Sequence, residues 1–559
     1  MVRYRPALIL LAVSALLLAP SLVLGTMISH SSPQNLTWAE QFADQFRAGV
    51  LYPRWLPQSF DGLGSPTFYF YPPIAFWVDA LLSVATANLP SVSYRLSLST
   101  LVLLWASGLA MHAWLKVEAP SPRIALWGAV GYVAAPYHLL DHYYRGAFAE
   151  LAAYVVLPLL ALSIRRIAEG RRLAPVLFAL AYAALPMSHL PTALLISLTV
   201  LPLYVLYRGW RLGTPRRALG FFVQCGLAGA LGLGVAAIYL IPALGLQSWI
   251  PVDTFWISYY HVDRWFLLSP QRWPQPIDMM LVIAWSAAAY AIAAIGVLVV
   301  LARGSVAQGW RSETAFWTGA GIVCLLLVAG IPPWFWQLPF VAKVQFPWRL
   351  MVAVEFAVIT ALCLIPWPVR FRVASYVFVA AVLALVPAVV ATARGISDRA
   401  VASAAQQEVP ADLKQFEPAG FPQDPKGGYA DLGLEPLKGV PAIVCRPQPR
   451  TCRVAATTYD ELQIDVDADT PTEVVLRRFH YPLWRLDPPL PVMATDPLQL
   501  VAFTAPPGRH IFRLQRVAPS EERIGRIISA MSLVLLLAWA ALASTSGRLY
   551  ERYKSQAGG

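Results

Sequence analysis

The chain has 559 residues, 57% of them hydrophobic and 13% charged, with a mean hydropathy of +0.55 and a formal net charge of +12. A soluble protein of this length does not carry so much apolar surface, so the bilayer is its solvent. The positive excess does not mark a nucleic-acid binder, because basic residues sit in short groups between apolar segments rather than in one continuous patch; they read as topology signals.

A helix needs about 20 apolar residues to cross a hydrocarbon core, and somewhat fewer when it is interrupted. In chain order the candidate spans are 7–26, 96–115, 124–140, 147–164, 173–187, 191–207, 219–246, 279–301, 315–331, 350–366, 373–392 and 527–544, about twelve transmembrane helices. Arg3 and Arg5 precede the first run, which lacks a small-x-small cleavage site, so it reads as a retained anchor rather than a signal peptide. With this count, Arg3, Lys116, Arg165, Arg171, Arg216, Arg311, Arg370 and Arg548 share one side, opposed there only by Glu118, Glu169, Glu313 and Glu551. The positive-inside rule makes that side cytoplasmic and leaves both termini there. A further apolar stretch, 73–87, would invert most of these loops if it crossed. It is therefore expected to lie in the outer interface, with Trp77 and Asp79 as its wet edge.

The first outer loop, 27–95, is long and structured. Thr37 and Glu40 have the spacing of a capping box, opening a helix over 37–48 with Trp38, Phe42 and Phe46 as a stripe against the membrane. Aromatic residues then crowd 52–73 around Arg54 and a Gly-x-Gly at Gly62 and Gly64, suited to a headgroup-level belt or to a sugar platform. After the third span, Asp141, His142, Tyr143, Tyr144 and Arg145 lead to Glu150. An ionisable cluster at that depth is either a functional site or an ion pair fastening two helix ends. His189 occupies a Ser-His-Leu-Pro turn and reads as a packed turn residue. His261 lies in a later outer loop. Arg349, beside Trp348, either binds a lipid phosphate or snorkels to the interface.

The region 394–523 is the one long polar segment. Its second half alternates apolar and polar residues, giving a small β-sandwich, while 395–438 is rich in Pro and Gly. Cys445 and Cys452 fit a disulfide closing a hairpin, with two free thiols the alternative. Cys225, Cys324 and Cys363 lie in apolar runs and read as core packing.

The runs GVLYPRWLPQSFDGLGSPTFYFYPP at 49–73, DHYYRGAFAE at 141–150, SHLPTAL at 188–194 and QFPWR at 345–349 together resemble a bacterial membrane-protein family labelled 6-pyruvoyl-tetrahydropterin synthase-related. That family looks like a branch of the GT-C glycosyltransferases. FHYPLWRL, starting at Phe479, is similar to a β-domain motif of related membrane proteins. The pterin-synthase half of the label has no counterpart here, since that soluble enzyme needs a zinc-binding histidine cluster and these histidines are scattered.

The resemblance implies a polytopic α-helical membrane protein, GT-C-like, of about twelve transmembrane helices with a C-terminal periplasmic, mainly-β domain. Its units are 1–393, 394–523 and 524–559, the last a final span and short cytoplasmic tail, in a bacterial inner membrane. It also implies transfer of a sugar from a polyprenyl-phosphate carrier. A carboxylate near the acceptor takes its proton, and basic groups steady the departing phosphate. The catalytic candidates are Asp44, Glu40 and Glu150, and the substrate-binding candidates are His30, Arg54, Asp141, His142, Arg145, His189, His261 and Arg349, with Arg145 and Arg349 on the phosphate. No metal ligands are assigned, a divalent metal stays open, and the partners are membrane lipid and a polyprenyl-phosphate-linked sugar. The family pattern places an Asp directly after His30, where this sequence has Ser31. A non-catalytic glycolipid-binding or envelope-assembly protein is the alternative. A transporter is disfavoured on the reading that no charged residue sits at mid-span.

Overall fold

The computed structural model describes residues 4–253, 258–273, 278–365, 413–421 and 441–557. The eleventh expected span, 373–392, and most of 395–438 lie outside the described residues. Among the described residues seven helices are long and apolar enough to cross a membrane: Val92–Glu118, Phe148–Ala168, Leu190–Trp210, Pro215–Gly245, Asp278–Ala302, Pro347–Leu364 and Ser520–Thr545. The ninth run lies in Gln308–Val328, an unbroken helix whose first turns are polar, and the remaining described runs are shorter or broken. The first breaks at Leu18 into Arg5–Leu17 and Ala19–Leu24, and the third splits into Pro122–Val133 and Pro136–Leu140. Pro136 explains the second break, because a residue preceding proline is pushed out of the helical region, as Ala135 is at ψ 138°.

Loop one is a folded cap over the helical bundle. Its helix starts at Ser32 rather than Thr37, since Pro33 is pre-set for a first turn. The Thr37 hydroxyl instead donates to the Pro33 carbonyl at 3.1 Å, which removes the expected capping box. The aromatic stripe also turns inward. Trp38 and Phe42 are buried by protein, Phe42 against Phe68 at 4.7 Å and Trp38 against Phe416 at 5.8 Å. Each such ring stabilises by about 1.5–3 kcal/mol on leaving water, and a protein cover is as apolar as lipid, so sequence alone does not separate them. In Ile74–Ala85, Asp79 is fully buried rather than wet, bound to Arg95 at 2.9 Å and to Ser99 at 3.1 Å. Burial is tolerated there because the carboxylate is both paired and hydrogen-bonded. Trp77 is half-buried, its indole donating to the Leu51 carbonyl at 2.8 Å.

The C-terminal domain has two four-stranded antiparallel sheets, ordered β1-β4-β7-β6 and β2-β3-β8-β5. The strands are β1 Ile443–Arg446, β2 Thr451–Thr458, β3 Glu461–Ala468, β4 Thr472–Phe479, β5 Trp484–Asp487, β6 Met493–Ala494, β7 Leu500–Ala505 and β8 Gly508–Arg516. Alternate residues such as Ile464, Val466, Phe512 and Leu514 face the core, which runs on into loop one through Trp55 and Phe60. Cys445 and Cys452 form a disulfide. It does not close a paired hairpin, because β1 pairs with β4 and β2 with β3, so the bond joins one sheet to the other. The final helix follows β8 and packs on Pro215–Gly245, where the Ser529 hydroxyl donates to the Val235 carbonyl and accepts from Ile238 N.

Candidate functional site

The regular geometry of a helix is interrupted after Pro136–Leu140 by a π-turn, Asp141–Arg145, ending at Gly146 with φ +60°. The wider turn swings the Asp141 and Arg145 side chains toward the start of Phe148–Ala168. Gly146 is required twice over: its backbone is left-handed, and a Cβ would sit 2.3 Å from the Ser29 hydroxyl. Loop one closes on this turn, with His30 N and Ser31 N donating to the Tyr144 and Arg145 carbonyls at 3.1 and 3.0 Å. The Asn35 amide donates to the Gly146 carbonyl at 2.6 Å.

Arg145 Nη1 donates to the Tyr137 hydroxyl at 2.6 Å, to Glu150 Oε2 at 2.7 Å and to Asp141 Oδ1. Tyr137 in turn donates to Glu150 Oε1 at 3.0 Å. Asp141 and Glu150 are fully buried. Burial, then the neighbouring Glu150 charge, push the Asp141 carboxyl well above the usual range, and its Oδ2 has no hydrogen-bond partner. His189 Nδ1 lies 3.9 Å from Glu150 Oε2 and 2.7 Å from the Thr192 hydroxyl. Burial pushes the His189 imidazole down to about 3, overriding the Glu150 charge, so near neutral pH it is a neutral hydrogen-bonding group.

Arg349 completes the cluster. Its charge acts on His189 and Tyr71 together with those of Glu150 and Arg145. It is buried under the Phe346 ring at 4.9 Å, bonded to the Val344 carbonyl, with Nε unpartnered. Among the described residues it enters no ion pair. A guanidinium so placed has donors left for an anion.

A small, half-open crevice abuts the other face of the π-turn, lined by Thr26, Ser29, Asn35, Thr100 and His142 among others. Ser29 Oγ and Asn35 Oδ1 are buried there without partners. His142 lies 2.8 Å from the Ser21 hydroxyl, and burial lowers its imidazole to about 4.

The structure thus gathers Asp141, Arg145, Glu150, His189 and Arg349, with His142 turned to the crevice on the opposite face, bonded to Ser21, and His30 exposed at the rim. It places four candidates elsewhere. Glu40 is exposed, and Asp44 forms an ion pair with Arg47 at 2.6 Å, both partners about a third exposed. His261 is exposed on a loop whose Trp265 packs on Trp348 at 4.8 Å. Arg54 is buried in a separate joint, 3.3 Å from Glu522 and donating to the Ile238 carbonyl at 2.6 Å. Tyr69 donates to Glu522 at 2.6 Å, and Arg516 Nε reaches Asp460 at 2.8 Å.

Two residues of the cluster escaped the sequence reading. Tyr137 was legible as the first of Tyr137, Asp141 and Arg145, spaced along one helical face. Glu355 overturns the statement that no charge sits at mid-span: it is fully buried in the middle of Pro347–Leu364, a lone carboxylate in an apolar run. Among the described residues no group of three or more His, Cys, Asp or Glu is placed to hold a metal ion.

No protein-family model and no curated protein matches the chain, so the pterin-synthase-related label finds no support. Among solved structures, the arabinofuranosyltransferase AftD from Mycobacteria is similar at a TM-score of 0.42 and 15% identity. The match covers 71% of this chain and 27% of that one, so this chain spans just over a quarter of that protein's length.

Proposed function

We propose that the chain is a GT-C-like membrane glycosyltransferase that moves a sugar from a polyprenyl-phosphate carrier to an acceptor at the periplasmic face of a bacterial inner membrane. The observation that carries this reading is a buried carboxylate, Glu150, held by Arg145 beside a second buried arginine, Arg349, that enters no ion pair among the described residues. In the reaction the acceptor oxygen bonds to the anomeric carbon as that carbon's bond to phosphate breaks. The acceptor proton passes to Glu150, and Arg349 and Arg145 take up the charge left on the lipid phosphate. His189, neutral, orients a hydroxyl. The basic ends of the bundle, where Arg165 meets Glu118 at 3.0 Å and Arg208 meets Glu313, would face the cytoplasm with both termini.

A second reading, a glycolipid-binding protein without turnover, is favoured by two features. Both Glu150 oxygens already accept hydrogen bonds, and the loop-one carboxylates Glu40 and Asp44 lie away from the cluster at the surface. The test is to supply polyprenyl-phosphate hexoses and pentoses to the purified protein and follow release of polyprenyl phosphate. Arg349→Ala and Glu150→Gln should each slow it about 100-fold or more. Saturable lipid binding with no turnover of any donor would select the binding protein instead.

A further inference from the structure

We propose that Glu355 is a positioning residue for this cluster, holding the first turn of Pro136–Leu140 and through it Tyr137, whose hydroxyl joins Arg145 to Glu150. The inference rests on the reading of the cluster as a lipid-phosphate site.

Glu355 is fully buried, and among the described residues no Arg, Lys or His side chain forms an ion pair with it. A lone carboxyl at that depth is costly, and such residues are retained for a function. Its partners come from three other helices. Tyr137 N donates to Oε1 at 2.8 Å, the Tyr154 hydroxyl to Oε2 at 3.1 Å and the Tyr290 hydroxyl to Oε1 at 3.3 Å. The backbone bond matters most. Pro136–Leu140 is a single short turn with no side-chain cap of its own, so an acceptor from a neighbouring helix must satisfy its exposed N–H and fix its entry angle. Tyr137 therefore has its backbone on Glu355 and its hydroxyl between Arg145 Nη1, at 2.6 Å, and Glu150 Oε1, at 3.0 Å. Moving that turn by an ångström would break both contacts. The crevice beside His142 is not lined by Glu355, so an acceptor role fits it better than exchange of an ion with water.

The experiment compares Glu355→Gln, Glu355→Leu, Tyr137→Phe and the Glu355→Leu/Tyr137→Phe pair, each as the full chain in lipid nanodiscs. Polyprenyl monophosphate is titrated in, and melting is followed without ligand. Glu355→Gln should bind within about twofold of wild type, because its amide oxygen still accepts from Tyr137 N and its NH2 can donate to the Tyr154 hydroxyl. Glu355→Leu should weaken binding about tenfold or more, and the double variant by no more than about twofold beyond that, the signature of residues acting in one chain. Losses that multiply, or a Glu355→Gln as weak as Glu355→Leu, would overturn the proposal. Should Glu355→Leu not fold, Glu355→Asp keeps a carboxyl but, one methylene shorter, withdraws the acceptor from Tyr137 N. Weaker binding supports the proposal, and unchanged binding sinks it. If wild type binds no polyprenyl phosphate, the site reading fails on its own account. The melting shifts then decide this proposal: non-additive shifts support it and additive ones overturn it.

Discussion

Glu150 and Glu522 are both fully buried carboxylates, each held by arginine and a tyrosine hydroxyl, yet their surroundings differ in kind. Around Glu522 the ligands come from loop one (Arg54, Tyr69), from β8 (Arg516) and from its own helix (Arg526), so three parts of the chain meet on one charge. Around Glu150 the ligands Tyr137 and Arg145 come from the segment just before it, and beyond them stand a neutral His189 and Arg349, which bonds the Val344 carbonyl and enters no ion pair among the described residues. The first arrangement joins a β-domain to a membrane bundle. The second is built from local chain and keeps a cation that no carboxylate pairs with among the described residues. A buried arginine by itself therefore does not mark a site, and what matters is whether a carboxylate counters its charge, as Glu522 does for Arg54 at 3.3 Å.

That contrast can be broken by removing each carboxylate. Glu522→Ala leaves Arg54 buried without its counter-charge and should destabilise by about 3–5 kcal/mol, read as a fall in melting temperature. Glu150→Ala leaves Asp141 to hold Arg145 and should cost about 1–3 kcal/mol. Equal losses would erase the distinction between joint and site. Replacing Cys445 and Cys452 by serine should destabilise the β-domain by about 2 kcal/mol, as expected for a short loop. The same change should leave polyprenyl-phosphate binding intact, and weakened binding would show that the domain shapes the site.

Acid sharpens the comparison further. The unfolded His142 imidazole takes up a proton below about 6.5, whereas the folded one stays neutral down to about 4, so the unfolded state binds more protons in that window. Stability should fall as pH drops through it, on the order of 1 kcal/mol per pH unit. The raised Asp141 carboxyl acts in the opposite sense, losing stability as pH rises, so the difference between wild type and His142→Gln isolates the imidazole. A His142→Gln melting curve with the wild-type acid slope would remove His142 as its source. The smallest effect belongs to the surface: Asp44→Asn breaks an ion pair that is about a third exposed and should change stability by less than about 0.5 kcal/mol. Loss of turnover in that variant would return Asp44 to the candidate carboxylates.

Much of the candidate site was legible because its residues are close in sequence. Asp141, Arg145 and Glu150 fall within ten positions of one another, where helical geometry limits how far apart they end. His189 and Arg349 stood out as polar residues at the ends of apolar runs. Arg54 misled because its neighbours in sequence are aromatic, like those of Arg349, while its partner Glu522 lies at the far end of the chain. Glu355 was missed because hydropathy averaged over a span absorbs a single charge, although a lone carboxylate at mid-span is a signal in itself.

By itself the sequence determined that the chain belongs in a bilayer, where its apolar runs fall and that a β-rich domain precedes the last helix, since these follow from solvent preference and period alone. Tertiary structure decided which face each element buries. It sent Trp38 and Phe42 into protein rather than lipid, put Asp79 on Arg95, set β1 and β2 in different sheets and gave Arg54 to the domain joint. Those outcomes depend on contacts between residues distant in the chain, and an apolar or charged side chain does not carry in its own type the identity of the partner that will cover it.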